Sequence, residues 1–206
     1  MTEYKITALR KQRGALYIVE RDGEPSVELD RRTVDECGVG VGSVLTEGEW
    51  EKLCELSAAG RARERALWLL SQRDYSQKGL VRKLRETTDR DRAESVAERM
   101  AELGLVNDER YAERLARELC LVRHYPTRRA AQKMAEKGLS REWIELAFET
   151  IGADDVQAAL AHLNKLCYND TDNDAERRKL CEKLVRFGFS YDAVRSAARQ
   201  LDEERD

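Results

Sequence analysis

The feature that most constrains this chain is a passage it writes more than once. Arg128-Arg129-Ala130-Ala131-Gln132-Lys133-Met134-Ala135-Glu136-Lys137-Gly138-Leu139-Ser140 returns fifty residues later as Arg178-Lys179-Leu180-Cys181-Glu182-Lys183-Leu184-Val185-Arg186-Phe187-Gly188-Phe189-Ser190. Fifty residues earlier stands Arg82-Lys83-Leu84, with Leu80 in the register of Ala130 and Leu180. Tyr75 and Tyr125 share one point of the period, and Lys83, Lys133 and Lys183 share another. A fixed period of this size marks stacked supersecondary units, none of which buries its apolar face alone.

Within the period the apolar residues cycle as they do in helices. In the first unit Ala62, Ala66, Leu69 and Leu70 form a stripe that closes at Arg73-Asp74-Tyr75. Ser76 is placed to cap a second helix carrying Leu80, Val81 and Leu84. A third helix is expected from about Asp91, with Val96, Met100 and Leu103 inward and Gly104 closing it in the left-handed conformation. The second unit repeats the grammar. Asn107 caps a helix with Tyr111, Leu115, Leu119 and Val122 on its apolar face, and Pro126 takes the place of Ser76. The middle helix ends at Gly138, and Ser140 caps a third helix with Trp143, Ile144, Ala147, Phe148 and Ile151 inward, closed by Gly152. The third unit opens at Asp154-Asp155 with Val156, Leu160, Leu163 and Leu166. Gly188, Ser190 and the stripe Val194, Ala198 and Leu201 complete it, and residues 202–206 are expected to fray. The expected organisation is therefore three-helix repeats at 59–104, 105–152 and 153–206.

Residues 1–58 follow another rule. Tyr4–Arg10 and Ala15–Glu20 alternate as strands do, with Gly14 in their connection, and Asp22-Gly23 reads as a hairpin turn into Ser26–Leu29. A small antiparallel β segment is expected, followed by a short helix from about Thr46 with Trp50, Leu53, Cys54 and Leu56 on one side. Gly38, Gly40 and Gly42 fit neither the Rossmann nor the Walker spacing, so a turn is the expected reading.

Charged residues make up 37% of the 206, and there are 2 prolines, a composition suited to long solvated helices. The net charge is −3, with acidic ends flanking a basic middle. Such a balance does not describe a polycation that coats DNA. The 5 cysteines form no C-x-x-C pair. Four of them lie in apolar-periodic stretches, so buried free thiols in a reducing compartment are expected. No stretch reads as a signal peptide or a membrane span, which leads to the expectation of a soluble, cytoplasmic protein.

Catalytic, cofactor and metal sites are not expected. His124 and His162 lie in different units without ligands at metal spacing, and read as helix-surface or helix-end residues. Asp170-Thr171-Asp172-Asn173-Asp174 begins like a calcium loop, but Ala175 and Cys181 replace its Gly and Glu, so a capping linker is expected. The recurrent feature is basic. Arg82 and Lys83 in the first middle helix, Arg128, Arg129, Lys133 and Lys137 in the second, and Arg177, Arg178, Lys183 and Arg186 in the third define a candidate partner-binding strip. Arg73 beside Tyr75, and Arg123 beside Tyr125, add an aromatic next to a guanidinium at equivalent sites.

Three blocks then carry a resemblance. Ala66-x-x-Leu69-Leu70-x-x-Arg73-x-Tyr75-Ser76-x-x-x-Leu80-x-x-Lys83-Leu84 resembles the first repeat of the RecX family. Gly104-Leu105-Val106-Asn107-Asp108-Glu109-Arg110-Tyr111-Ala112 resembles the block joining its first two repeats. Lys133-Met134-x-x-Lys137-Gly138-Leu139-Ser140 resembles the end of the second middle helix. The match runs over about residues 60–200. Two departures stand out: Gly79 inside a helix, and Glu86-Thr87-Thr88 in place of a glycine turn. The resemblance implies a mainly α protein of tandem three-helix repeats in an elongated curved array. It also implies a regulator of the RecA recombinase that binds the RecA–single-stranded DNA filament and inhibits its extension, ATPase and strand exchange; a monomer is expected, since no long apolar stripe remains unused. Contact with single- or double-stranded DNA would be weak or indirect, with no cofactor and no membrane. A free-standing nucleic-acid binder built from helix-turn-helix-like units, and a scaffold for another protein, are the alternatives.

Overall fold

The alternation at the start of the chain does build a sheet. The computed structural model describes residues 3–12, 16–168 and 173–203. The Gly14 connection, Asp170–Asp172 of the calcium-like run and residues 204–206 of the tail lie outside them. Strands β1 (Glu3–Lys11), β2 (Leu16–Arg21) and β3 (Glu24–Asp30) pair antiparallel, and a short β4 (Val44–Thr46) joins β1, giving the order β3-β2-β1-β4. Three residues are too few for a periodic signal, and β4 declares itself only through its register with Glu3–Lys5.

Helices α1 (Arg31–Cys37), α2 (Glu47–Gln72), α3 (Gln77–Leu84) and α4 (Arg90–Glu102) follow. Then come α5 (Asp108–Ala116), α6 (Thr127–Glu136), α7 (Arg141–Ile151), α8 (Asp155–Lys165), α9 (Asp174–Phe187) and α10 (Tyr191–Glu203). The fold is mainly α, with tandem three-helix repeats and a small antiparallel sheet at its start. The described chain divides into two compact units, one of residues 1–74 and 80–106, the other of residues 75–79 and 107–206.

In the first unit one face of the sheet buries Ile6, Val19 and Leu29 against Trp50 and Leu53 of α2. Thr46 and Glu49 form a reciprocal capping box at the start of α2. That helix then runs unbroken for 26 residues, where the sequence suggests two helices. The reason is the run Ser57-Ala58-Ala59-Gly60. Ser57 donates to the Glu28 carbonyl at 2.9 Å, and a Cβ at Gly60 would collide with the Asp30 carboxylate. Asp30 itself caps α1 through Thr33. Small residues here bring helix and sheet edge together; they do not end the helix. Leu56 is exposed, outside the side formed by Trp50 and Leu53. Farther along, Ala62, Ala66 and Leu69 pack inward, as do Ala93, Val96, Ala97 and Met100 of α4. Leu103, expected inward, is 52% exposed: it is the C-cap residue of α4, past the last inward turn, and Gly104 follows at φ +69°.

In the second unit the first and third helices of each trio pair, α5 with α7 and α8 with α10. The second trio buries Ala112, Ala116, Leu119, Ala130, Met134, Ile144 and Ala147. The third buries Ala159, Leu163, Leu184, Phe189, Val194, Ala197 and Leu201. After Ala116 the first helix widens into a π-helical turn, Arg117–Val122. The extra residue per turn shifts the stripe, so Leu119 and Cys120 stay inside while Val122, expected inward, is 72% exposed. The thiols also depart from expectation. Only Cys120 is buried; Cys37 and Cys167 are exposed, and Cys54 and Cys181 half-buried.

Candidate partner-binding surface

The fifty-residue period has a structural counterpart in the second unit: one joint is made twice. Ser76 Oγ accepts from the Gly79 N–H at 2.9 Å, as expected of a cap, and donates to the Lys137 carbonyl at 2.6 Å. A Cβ on Gly138 would lie 2.8 Å from that same hydroxyl oxygen. Fifty residues on, Pro126 stands for Ser76, Arg129 for Gly79, Phe187 for Lys137 and Gly188 for Gly138. Arg129 donates to the Phe187 carbonyl at 3.4 Å, and a Cβ on Gly188 would lie 3.4 Å from the Pro126 ring. The helix start is held from a second side as well. Asp108 accepts from the Gln77 N–H at 2.7 Å, and Asp155 accepts from the Thr127 N–H at 2.8 Å and its hydroxyl at 3.2 Å. The first two middle helices thus each have one of their open N-terminal donors filled by an aspartate from the next trio. Gly79, a departure at the level of sequence, is the residue that lets the first joint close.

Where Arg129 replaces Gly79, the joint gains an aromatic cluster. The Arg129 guanidinium lies 4.7 Å from the Tyr125 ring centre and 4.1 Å from that of Phe187. Tyr125 and Phe187 meet edge to face at 5.5 Å. Lys133 Nζ is 5.9 Å from the Tyr125 ring centre. His162, expected apart from His124, instead meets its carbonyl through Nε2 at 3.0 Å and packs on Phe187 and Phe189. Burial holds the His162 imidazole below its ordinary value. No spacing rule links His124 to His162. The backbone of His124 in the left-handed region, φ +51°, is the local feature that turns its carbonyl to this contact.

The candidate residues therefore divide. Tyr125, Arg129 and Lys133 come together at the joint. Lys183 and Arg186 flank a hollow beside His162 and Lys165. Arg128 stands instead over a groove between α6 and α7, and Arg178 over a groove between α9 and α10. These two grooves are the same groove in register: Ala131 with Cys181, Ala135 with Val185, Ile144 with Val194 and Phe148 with Ala198 line them at fifty-residue offsets. Arg177 turns inward, pairing with Asp202 at 3.0 Å and lying 5.1 Å from the Tyr168 ring centre. The Tyr168 phenol is pushed up to about 12, chiefly by burial, then by Asp202. Arg123 pairs with Glu118 and Lys137 is exposed. In the first unit Arg73 and Arg82 are exposed, and Lys83 pairs with Glu86 at 2.7 Å. Tyr75 is half-buried and lies over the residue four positions on, as Tyr125 does.

Comparison with known proteins places this geometry in a context. A family model described as the second three-helix domain of RecX matches residues 107–147. A protein named regulatory protein RecX from Stenotrophomonas maltophilia (strain R551-3) is 33% identical over 138 residues, covering 66% of this chain and 84% of that protein. One of the same name from Streptococcus gordonii is 24% identical over 204 residues, covering 98% of this chain and 79% of that protein. A crystal structure of a regulatory protein RecX superposes with a TM-score of 0.68 at 20% identity, over 94% of this chain and 98% of that one. At that identity the superposition speaks to the fold. No helix among the described residues is long and apolar enough to cross a membrane.

Proposed function

The chain belongs to the RecX family, and from that membership we propose that it is a regulator that binds the RecA–single-stranded DNA filament and restrains its extension, ATPase and strand exchange. It acts by binding, without chemistry of its own, as a monomer in the cytoplasm. The observation that carries this reading is the recurrence of one groove and one joint in the same register. A partner made of identical subunits in series offers the same foothold repeatedly, and footholds of modest strength then sum through multivalency. The basic residues that recur in the middle helices support a polar partner surface, and the net charge of −3 argues against coating DNA directly.

The test is RecA ATPase on single-stranded DNA, titrated with this protein, with filaments imaged in parallel. ATP hydrolysis falls and filaments shorten or stop growing as the protein is added. Full ATPase and strand exchange at saturating protein would remove the inhibitory reading, and absence of filament binding would remove the regulator reading as a whole. Tight binding to bare DNA with a steep salt dependence would favour the free-standing nucleic-acid binder instead.

A further inference from the structure

The two equivalent grooves differ in how their arginines are paired. Over the α6–α7 groove Arg141 is taken up by Glu145 at 2.6 Å. In the α9–α10 groove Tyr191 and Arg195 stand at those two positions, so the internal ion pair is gone. Arg178, Arg186 and Arg195 line that groove with no ion-pair partner among the described residues, and Asp174 and Glu182 of α9 line it with them. One end is closed by the Arg177–Asp202 pair, so those charges are already matched. Between the arginines the floor is apolar: Val194 is buried, while Val185 and Tyr191 keep 39% and 69% of their surface open to solvent. The space amounts to about 690 Å³.

We infer that the α9–α10 groove docks an acidic amphipathic segment of a protein partner. Its apolar side chains settle on Val185 and Tyr191, and its carboxylates meet Arg178, Arg186 and Arg195. A trough between two helices is a standard seat for such a segment. Planar guanidinium groups without partners favour carboxylates, which they grip in bidentate fashion. Open apolar surface inside a charged rim is the signature of a contact site. A nucleic-acid backbone suits the groove less well, because its run of phosphates would leave the apolar floor uncovered. The inference deepens the filament reading and rests on it only for the identity of the partner.

The experiment uses the whole 206-residue chain and three fluorescent probes. One is a helix-stabilised peptide of about fourteen residues with leucines at i, i+4 and i+7 and glutamates between them. The second is its lysine counterpart, and the third an oligo-dT strand. Anisotropy titrations show the acidic peptide bound at least ~10-fold more tightly than the lysine peptide. Arg178→Glu with Arg195→Glu weakens it by ~10-fold or more, Val185→Glu also weakens it, and Arg199→Glu, on α10 outside the groove, does not; circular dichroism checks the fold of each. Equal binding of both peptides, or binding unmoved by the arginine pair, overturns the inference. So does an oligo-dT strand that binds through those arginines while the acidic peptide does not. Co-sedimentation with RecA filaments separates the two readings. Wild-type protein that ignores the filament overturns the filament reading alone, whereas filament binding that survives the double variant while peptide binding is lost removes the filament as the occupant of this groove.

Discussion

The Cβ that Gly79 lacks would sit 2.8 Å from the main-chain oxygen of Lys137 and 2.9 Å from the hydroxyl oxygen of Ser76. In an exposed helix Gly→Ala gains about 1 kcal/mol of helix propensity. Here the sign reverses, because a backbone oxygen and a hydrogen-bonded hydroxyl must both give way. Gly79→Ala lowers stability by about 1–3 kcal/mol, as overpacking does elsewhere. Urea denaturation of the two proteins checks the direction.

The two aspartates that fill the middle-helix starts are not equal. Asp155 serves both the N–H and the hydroxyl of Thr127, so Asp155→Ala costs about 1–2 kcal/mol. Asp108 serves a single N–H, and burial raises its pKa, which means the charge is a burden there. Asp108→Asn keeps an acceptor for Gln77 and removes that burden, so it is nearly neutral, while Asp108→Ala costs about 1 kcal/mol. Thermal melts of the three variants rank them.

His162 gives the second unit a dependence on pH. Its folded-state pKa lies below the ordinary value near 6.5, chiefly from desolvation; the bond to the His124 carbonyl works the other way, and the charges of His124 and Lys165 add to the lowering. A depressed folded value means the unfolded chain takes up the proton first. The contribution is therefore intact above about pH 6.5 and is lost as the pH falls through the folded value. The denaturation midpoint drops between pH 7.5 and 5.5, and His162→Gln makes that drop smaller.

Arg129 joins two rings and a carbonyl. Arg129→Ala loses all three contacts and costs about 1–2 kcal/mol. Arg129→Lys keeps the charge but not the flat face that lies against Tyr125 and Phe187, so it falls between. Protection of α6 and α9 amides from hydrogen exchange reports the loss locally.

Reversing Lys83, Lys133 and Lys183 to Glu together weakens filament binding by roughly 10-fold while leaving helix content unchanged. Each alone has a small effect, since Lys83 is already paired with Glu86 and exposed charges act weakly one at a time. Co-sedimentation over a salt series measures it. Unchanged affinity would return the three lysines to an ordinary solvated surface.

Much of the helical grammar was legible because it is local. The caps at Thr46, Ser76, Asn107 and Ser140, and the left-handed glycines at 104, 138 and 152, depend on neighbours within one turn. What depends on distant partners was not. Ser57–Gly60 resembles a break until Glu28 and Asp30 are seen against it. Val122 leaves its stripe because of a π turn that no periodicity announces. Arg177 looks like its neighbour Arg178, yet it is spent on Asp202, 25 residues away. The even spacing of the basic residues likewise concealed that Arg128 and Lys133, on one helix, serve different surroundings.

The hydroxyl of Ser76 finds its acceptor 61 residues downstream, at Lys137. A ribosome releases the chain from its first residue onward, so the start of α3 is written long before its partner exists. Until Asp108 has cleared the exit tunnel the Gln77 N–H lacks its acceptor, and until Lys137 has cleared it the Ser76 hydroxyl lacks its own. A nascent chain halted near residue 106 would thus carry α3 with a loose beginning, and synthesis of the second trio would be the event that finishes it.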